Sequence, residues 1–220
     1  MRVLFPHLPK CAGTSIRAAL ESDTRYRADY HHHPTWQCEA DLRAGREAQA
    51  RLIARLRDEA SWIVFGHFAP REYYGLDFDC QILVLREPLA RVVSHYGYVR
   101  DVLPDNEVTV RRHPEVRAIK DGRMTIEEFV ELEHVRHFYG RCYLADLRVD
   151  ERLVVLPAER LDVTMAAVGS LLGLRPAPPA WLNRGPGGGK HEALRERLQD
   201  DIALCEALMS HPNPALARGR

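Results

Sequence analysis

A chain of 220 residues with 45% hydrophobic and 28% charged side chains has the make-up of a globular protein and is long enough to bury roughly 70% of its unfolded surface, which excludes disorder, collagen and a small cysteine-stapled scaffold. Lys+Arg and Asp+Glu are equal at 31 each, so a nucleic-acid binder working through a general cationic surface is also excluded, and any anion has to be held locally. We expect a single domain over residues 1–220.

The opening RVLF is a short apolar run, HLPKCAGTS follows at once, and Ile16, Ala19 and Leu20 then fall at helical spacing, which predicts strand, loop and helix. A second helix is expected over about 39–59, where Leu42, Leu52, Ile53 and Leu56 punctuate an Arg/Glu-rich surface. SWIVFG and QILVLRE, separated by the turn-prone REYYGLDF, are continuous apolar runs of the kind found in buried parallel strands. Pro88 opens a helix with Leu89, Val92, Val93 and Tyr96 on one face. Residues 101–123 are polar, carry two prolines and show no clean period, so we expect an excursion from the core there. Thr125 and Glu128 form a capping box for a helix reaching about Tyr139. RLVVLP is the next strand, a helix over about 162–172 follows, then the Pro/Gly-rich loop 175–190, and last an amphipathic helix with Leu194, Leu198 and Cys205 on one side.

Strands alternating with helices in this order predict an α/β domain with a mainly parallel sheet flanked by helices, and ligands of such sheets bind at the carboxyl ends of strands. HLPKCAGTS, FGHFAP and LREPLARVVSHY each follow an apolar strand, so their polar groups can converge on one crevice. The five cysteines are odd in number and contain no C-x-x-C pair, and they read as reduced thiols. No apolar run approaches the ~20 residues of a membrane span. The start MRVLFPHLPK has no signal-peptide pattern, and we expect a cytoplasmic protein.

In PKCAGTS a strand end, a Pro-Lys pair, a small-residue loop and a helix start present backbone N–H groups, two hydroxyls and an ammonium to one point. Spacing alone leaves two readings, an anion cradle or a tight turn with a surface lysine. It is not a Walker A loop, because Pro9 precedes Lys10 and Cys11 follows it. The loop does resemble the 5′-phosphosulfate loop of sulfotransferases, P-K-[TS]-[AG]-[GS]-T-[ST], and REPLARVVSHY resembles that family's second hallmark, with Arg86, Pro88, Arg91 and Ser94 in the matching places. The H-x-P-K opening and the G-H-F segment are similar to the carbohydrate (Golgi-type) branch and its bacterial relatives.

The resemblance implies a P-loop-NTPase-like sulfotransferase fold and a donor, 3′-phosphoadenosine 5′-phosphosulfate, whose sulfuryl group goes to an acceptor hydroxyl, that of a saccharide or another small molecule, with no metal. It implies that Lys10, Thr14, Ser15 and the amides of Cys11, Ala12 and Gly13 hold the phosphosulfate, and that Arg86 and Ser94 hold the 3′-phosphate. Lys10 is then the electrophilic stabiliser and His67 the general base, with His7 as runner-up and a carboxylate as the further option. Lys190, at the start of the last helix, is expected to meet the nucleotide's 3′ side, unless GPGGGK is only a linker. His31 to His33 are read as loop or acceptor contacts, since three consecutive residues do not converge on one ion from a regular element. Acceptor contacts are expected from residues 21–40 and 101–145. The competing readings are a P-loop-like small-molecule kinase and a nucleotide-binding module without transfer activity.

Overall fold

The computed structural model describes residues 1–31, 33–174 and 188–212. Of the predicted Pro/Gly-rich loop 175–190, residues 175–187 lie outside the described residues, as do His32 and the side chain of Lys190.

The chain runs β1 (Arg2–Pro6), α1 (Gly13–Leu20), β2 (Tyr26–Asp29), α2 (Glu39–Leu56), β3 (Trp62–Gly66), β4 (Cys80–Leu85), α3 (Pro88–Asp101), α4 (Glu107–Arg112), α5 (Glu115–Lys120), α6 (Ile126–Phe129), α7 (Glu133–Arg136), a π-helical turn (Phe138–Tyr143), β5 (Leu153–Pro157), α8 (Leu161–Leu172), a kinked 3₁₀ stretch (Gly188–Leu198) and α9 (Gln199–Met209). All five strands are parallel, in the order β2-β3-β1-β4-β5. The chain leaves β1 towards β2 and leaves β4 towards β5, so the carboxyl ends of the adjacent strands β1 and β4 form the point where the connections part. That is where open α/β sheets leave a crevice.

Alternation fixes the two faces. Val3 and Phe5 of β1 pair in register with Ile63 and Phe65 of β3 and belong to the core built with Ile16 and Leu20 of α1 and Met165 and Leu172 of α8. Leu4 and Val64 point the other way, onto Leu52 and Leu56 of α2. Leu89, Val92 and Val99 of α3 gather a second cluster with Ile119, Phe129, Val135 and Leu198. Among the described residues no helix is long and apolar enough to cross a membrane.

Four expectations change. Residues 26–29 are a strand, invisible to periodicity because in YRAD only Asp29 is buried. The excursion at 101–123 contains α4, capped by Asn106, and α5, too short to show a period. The capping box at Thr125 and Glu128 is present, but its helix ends at Phe129, and the chain then breaks into α7 and the π turn rather than running on to Tyr139. The last α-helix begins only at Gln199, since the stretch before it, Gly188–Leu198, is 3₁₀ and kinked at His191.

In the edge strand β2 the partner of Gly66 of β3 is Asp29, and a Cβ added at Gly66 would lie 1.7 Å from the Asp29 carbonyl oxygen. Both groups are backbone, so neither can turn aside. Gly66→Ala is therefore expected to cost about 1–3 kcal/mol through overpacking. Urea unfolding should show a lower midpoint with an unchanged slope, and an unchanged midpoint would mean that β2 does not bind β3 at this distance.

Candidate functional site

Between β1 and α1 the chain turns twice through the left-handed region without glycine: φ is 71° at Lys10 and 61° at Ala12. Such turns cost roughly 1–2 kcal/mol each and fold successive N–H groups towards one side, making a backbone concavity of the kind that receives anions. Ala12 caps α1 with no side-chain hydrogen bond, so the positive end of the helix faces the same space. Gly13 is required by sterics, because a Cβ there would lie 1.5 Å from Nε2 of His7. The small-residue run AGTS thus lets the loop fold flat onto a histidine ring.

A cavity of about 560 Å³ opens over this loop, within the range of small-molecule sites. Lys10, Ala12, Gly13, Thr14 and Ser15 line it from the loop, His67 from the end of β3, Arg86 from the end of β4 and Ser94 from α3; His7, Arg17, Tyr30, Tyr98 and Glu159 complete much of the wall. The three sequence segments therefore meet. Cys11 stands apart: its thiol is buried against the hydroxyl of Tyr139 at 3.5 Å, and its amide donates to the Leu8 carbonyl at 3.1 Å, which leaves that N–H unavailable to a ligand. Burial also pushes the Cys11 thiol up.

Arg86 is held from several sides. The Tyr139 hydroxyl donates to the Arg86 carbonyl at 2.7 Å and accepts from its amide at 3.3 Å, and Nη1 of Arg86 donates to the Lys10 carbonyl at 3.3 Å. Tyr139 sits in the π turn, whose Tyr139 and Gly140 amides donate to the buried Asp201 carboxylate of α9 at 2.8 and 2.9 Å. Glu87 accepts from the Ala90 amide and caps α3, which carries Ser94 into the cavity wall. Arg91 of the same motif does not reach the cavity. It is 1% exposed, stacks at 3.8 Å on Phe138 and donates to the Val135 carbonyl.

His67 lies half-buried in the wall. Its Nδ1 is 2.8 Å from the His7 carbonyl, which can only accept, so Nδ1 carries the hydrogen and Nε2 keeps a lone pair. The ring is stacked on His7 at 4.5 Å and flanked by Tyr30 at 4.9 Å and His33 at 4.8 Å. Burial lowers its pKa to about 4, against the opposing pull of the His7 carbonyl and Asp29. His7, also held well below the ordinary histidine value by burial, has Nδ1 3.4 Å from the Tyr30 hydroxyl and Nε2 against Gly13, a wedged position.

The histidine run separates. His31 is exposed; His33 accepts on Nδ1 from the Thr35 amide at 3.2 Å, which leaves the hydrogen on Nε2, 2.8 Å from the Tyr143 hydroxyl. Among the described residues no group of three His, Cys, Asp or Glu could hold a metal ion.

Three contributors escaped sequence reasoning. Asp29 is fully buried; its carboxylate accepts from Tyr73 at 2.6 Å and Gln49 at 2.8 Å, and its carbonyl accepts the His67 amide at 2.8 Å. Tyr139 lies in a turn with no periodic signal. Tyr98 places its ring 4.1 Å from Nζ of Lys10, and only its i+4 spacing from Ser94 could have indicated it. Burial and the neighbouring Arg86 lower the Lys10 pKa.

No family model and no curated protein matches the chain. Among solved structures it is similar to the crystal structure of a sulfotransferase from Alicyclobacillus acidocaldarius, with a TM-score of 0.52, 19% identity and 99% of each chain covered. At that identity the likeness concerns architecture, and it shows that the all-parallel five-stranded sheet with its flanking helices is the α/β sulfotransferase fold.

Proposed function

We propose that this protein is a sulfotransferase that moves a sulfuryl group from 3′-phosphoadenosine 5′-phosphosulfate to an acceptor hydroxyl, and that residues 1–220 act as one domain. The observation that carries this reading is that the Lys10 loop and the Arg86–Ser94 pair, two motifs more than 70 residues apart, line one cavity together with His67. The H-x-P-K opening and the G-H-F segment favour a carbohydrate acceptor of the kind used by the Golgi-type branch and its bacterial relatives. Five free cysteines favour a reducing compartment, the cytoplasm.

The residues fit such a donor. The uncapped start of α1, Thr14, Ser15 and Lys10 offer donors and positive charge to the phosphosulfate, while Arg86 and Ser94 offer a planar fork and a hydroxyl to the 3′-phosphate. In the reaction a bond forms between the acceptor oxygen and sulfur as the bond from sulfur to the bridging phosphate oxygen breaks. Lys10 meets the charge that grows on that oxygen, and an ammonium whose environment has already removed much of its water acts strongly there. Nε2 of His67 takes the acceptor proton. Its low pKa keeps it unprotonated at neutral pH, and the negative charges of a bound donor raise its basicity at the moment of use.

The nucleotide assignment is tested by calorimetry with adenosine 3′,5′-bisphosphate. Arg86→Ala is expected to weaken binding by about 1.5–3 kcal/mol, roughly one to two decades, the worth of charge-assisted hydrogen bonds. Equal affinities would remove Arg86 from the site.

For Lys10→Ala the single-turnover transfer rate at saturating donor should fall by a larger factor than the bisphosphate affinity does, because the charge is most valuable late in the reaction. A rate equal to wild type would return Lys10 to an ordinary surface role.

For His67 the sign follows from the base needing to be unprotonated: kcat/KM should stay level from pH 8 down to about 5 and decline only as the pH approaches about 4, not near 6.5. The limb in kcat should lie higher, since bound anions stabilise the imidazolium. His67→Ala should lose both limbs and about 10²–10⁴-fold in rate while keeping bisphosphate affinity. Full activity in that variant would pass the role of base to another group.

A further inference from the structure

We propose that Tyr98 is a positioning residue for Lys10: its ring face holds the Lys10 ammonium at the cavity wall and yields it to an incoming anionic oxygen. The inference rests on the reading of Lys10 as the group that meets the departing phosphate oxygen. Tyr98 lies one helical turn beyond Ser94 on α3, so the face of the helix that brings Ser94 to the cavity brings Tyr98 as well. Nζ of Lys10 stands 4.1 Å from the centre of that ring.

The root of the Lys10 side chain is fixed, since its backbone is in the left-handed region and its carbonyl is bound by Arg86. Its tip has four rotatable bonds to spend. Among the described residues no carboxylate forms an ion pair with it, and the like charge of Arg86 acts against its own. The negative face of an aromatic ring is the partner present, and it is a weak one, worth less than a phosphate or sulfate oxygen. A weak partner keeps the ammonium from wandering into solvent yet gives it up when an anion enters. A carboxylate at position 98 would hold Lys10 and repel the donor.

The chain has three lysines, Lys10, Lys120 and Lys190, which makes the contact directly observable. In protein labelled with ¹³C at lysine Cε, and with Lys10 assigned through Lys10→Arg, the Lys10 ε-protons should appear upfield in the ring current of Tyr98. The displacement should persist in Tyr98→Phe, collapse in Tyr98→Leu, and disappear from wild type on saturation with adenosine 3′,5′-bisphosphate. In transfer assays Tyr98→Leu should raise the donor KM about tenfold with kcat changed less than about threefold, and Tyr98→Phe should stay within about twofold of wild type in both. Lys10 ε-protons without upfield displacement in wild type overturn the proposal, as does a Phe variant as damaged as the Leu variant, or a Leu variant with the wild-type donor KM. A wild-type protein that shows the displacement but transfers no sulfuryl group sinks the proposed reaction and leaves Tyr98 as the holder of Lys10.

Discussion

His7 is the residue on which the site is assembled. Its amide donates to the Gly66 carbonyl at 2.6 Å, extending the β1–β3 pairing one residue past the strand, and its own carbonyl accepts Nδ1–H of His67. Its ring fills the space that any side chain at position 13 would need, and stacks on Phe65 below and His67 beside it. One residue thus sets the tautomer of His67, the seat of the Lys10 loop and the spacing of two strand ends. Burial keeps the imidazole neutral, as it must be: a charged ring at this place would sit among Arg17, Lys10 and His67 with no carboxylate to answer it.

The other wall depends on a longer chain of contacts. Asp201 on α9 fixes the amides of the π turn, the π turn fixes the Tyr139 hydroxyl, and Tyr139 fixes the backbone of Arg86 on both its donor and its acceptor. The wide turn matters because its extra residue per turn aims Tyr139 at the sheet end while Tyr143 reaches His33 from the same element. Burial raises the Asp201 pKa, opposed by the two amides it accepts from, so this carboxylate is stabilised in its charged form mainly by backbone dipoles. Helix α9 therefore reaches the site through hydrogen bonds, and none of its residues lines the cavity.

Sequence reasoning recovered what periodicity and strand ends can carry. Four of the strands are continuous apolar runs, and the three loaded segments do follow three strand ends that lie side by side. What it missed shares a physical cause. YRAD is an edge strand with one buried residue, so its pattern is indistinguishable from loop, and the buried Asp29 was lost with it. The 125–143 region keeps the capping box and the apolar spacing of a helix, yet Val130 to Leu132 turn the chain, because Phe129 and Val135 bury against α3 while Tyr139 and Tyr143 bury against the sheet. Two cores compete for one segment, and no single period describes the result. Cys11 was placed in the anion loop by its neighbours in sequence, whereas the alternating left-handed turns rotate it inward.

The neutral overall charge conceals how unevenly charge is arranged. Arg2, Arg25, Arg27 and Arg152 pair with Asp77, Asp23, Glu59 and Asp150, and Arg111 and Arg112 share Asp41. Pairs at or near the surface are worth little to stability, but each cancels a field that would otherwise attract anions indiscriminately. Among the described residues Lys10 and Arg86 form no ion pair, and both face the one cavity at the carboxyl ends of β1 and β4, beside the positive end of α1. Other described arginines, such as Arg43, Arg46 and Arg51 of α2, also form no ion pair, but they are exposed, whereas Lys10 and Arg86 share a cavity wall where two strand ends part. The multiply charged donor proposed above would meet Lys10 and Arg86 together in one partly sheltered cavity wall beside the positive end of α1, where a charge acts over a short distance with less screening than on the open surface.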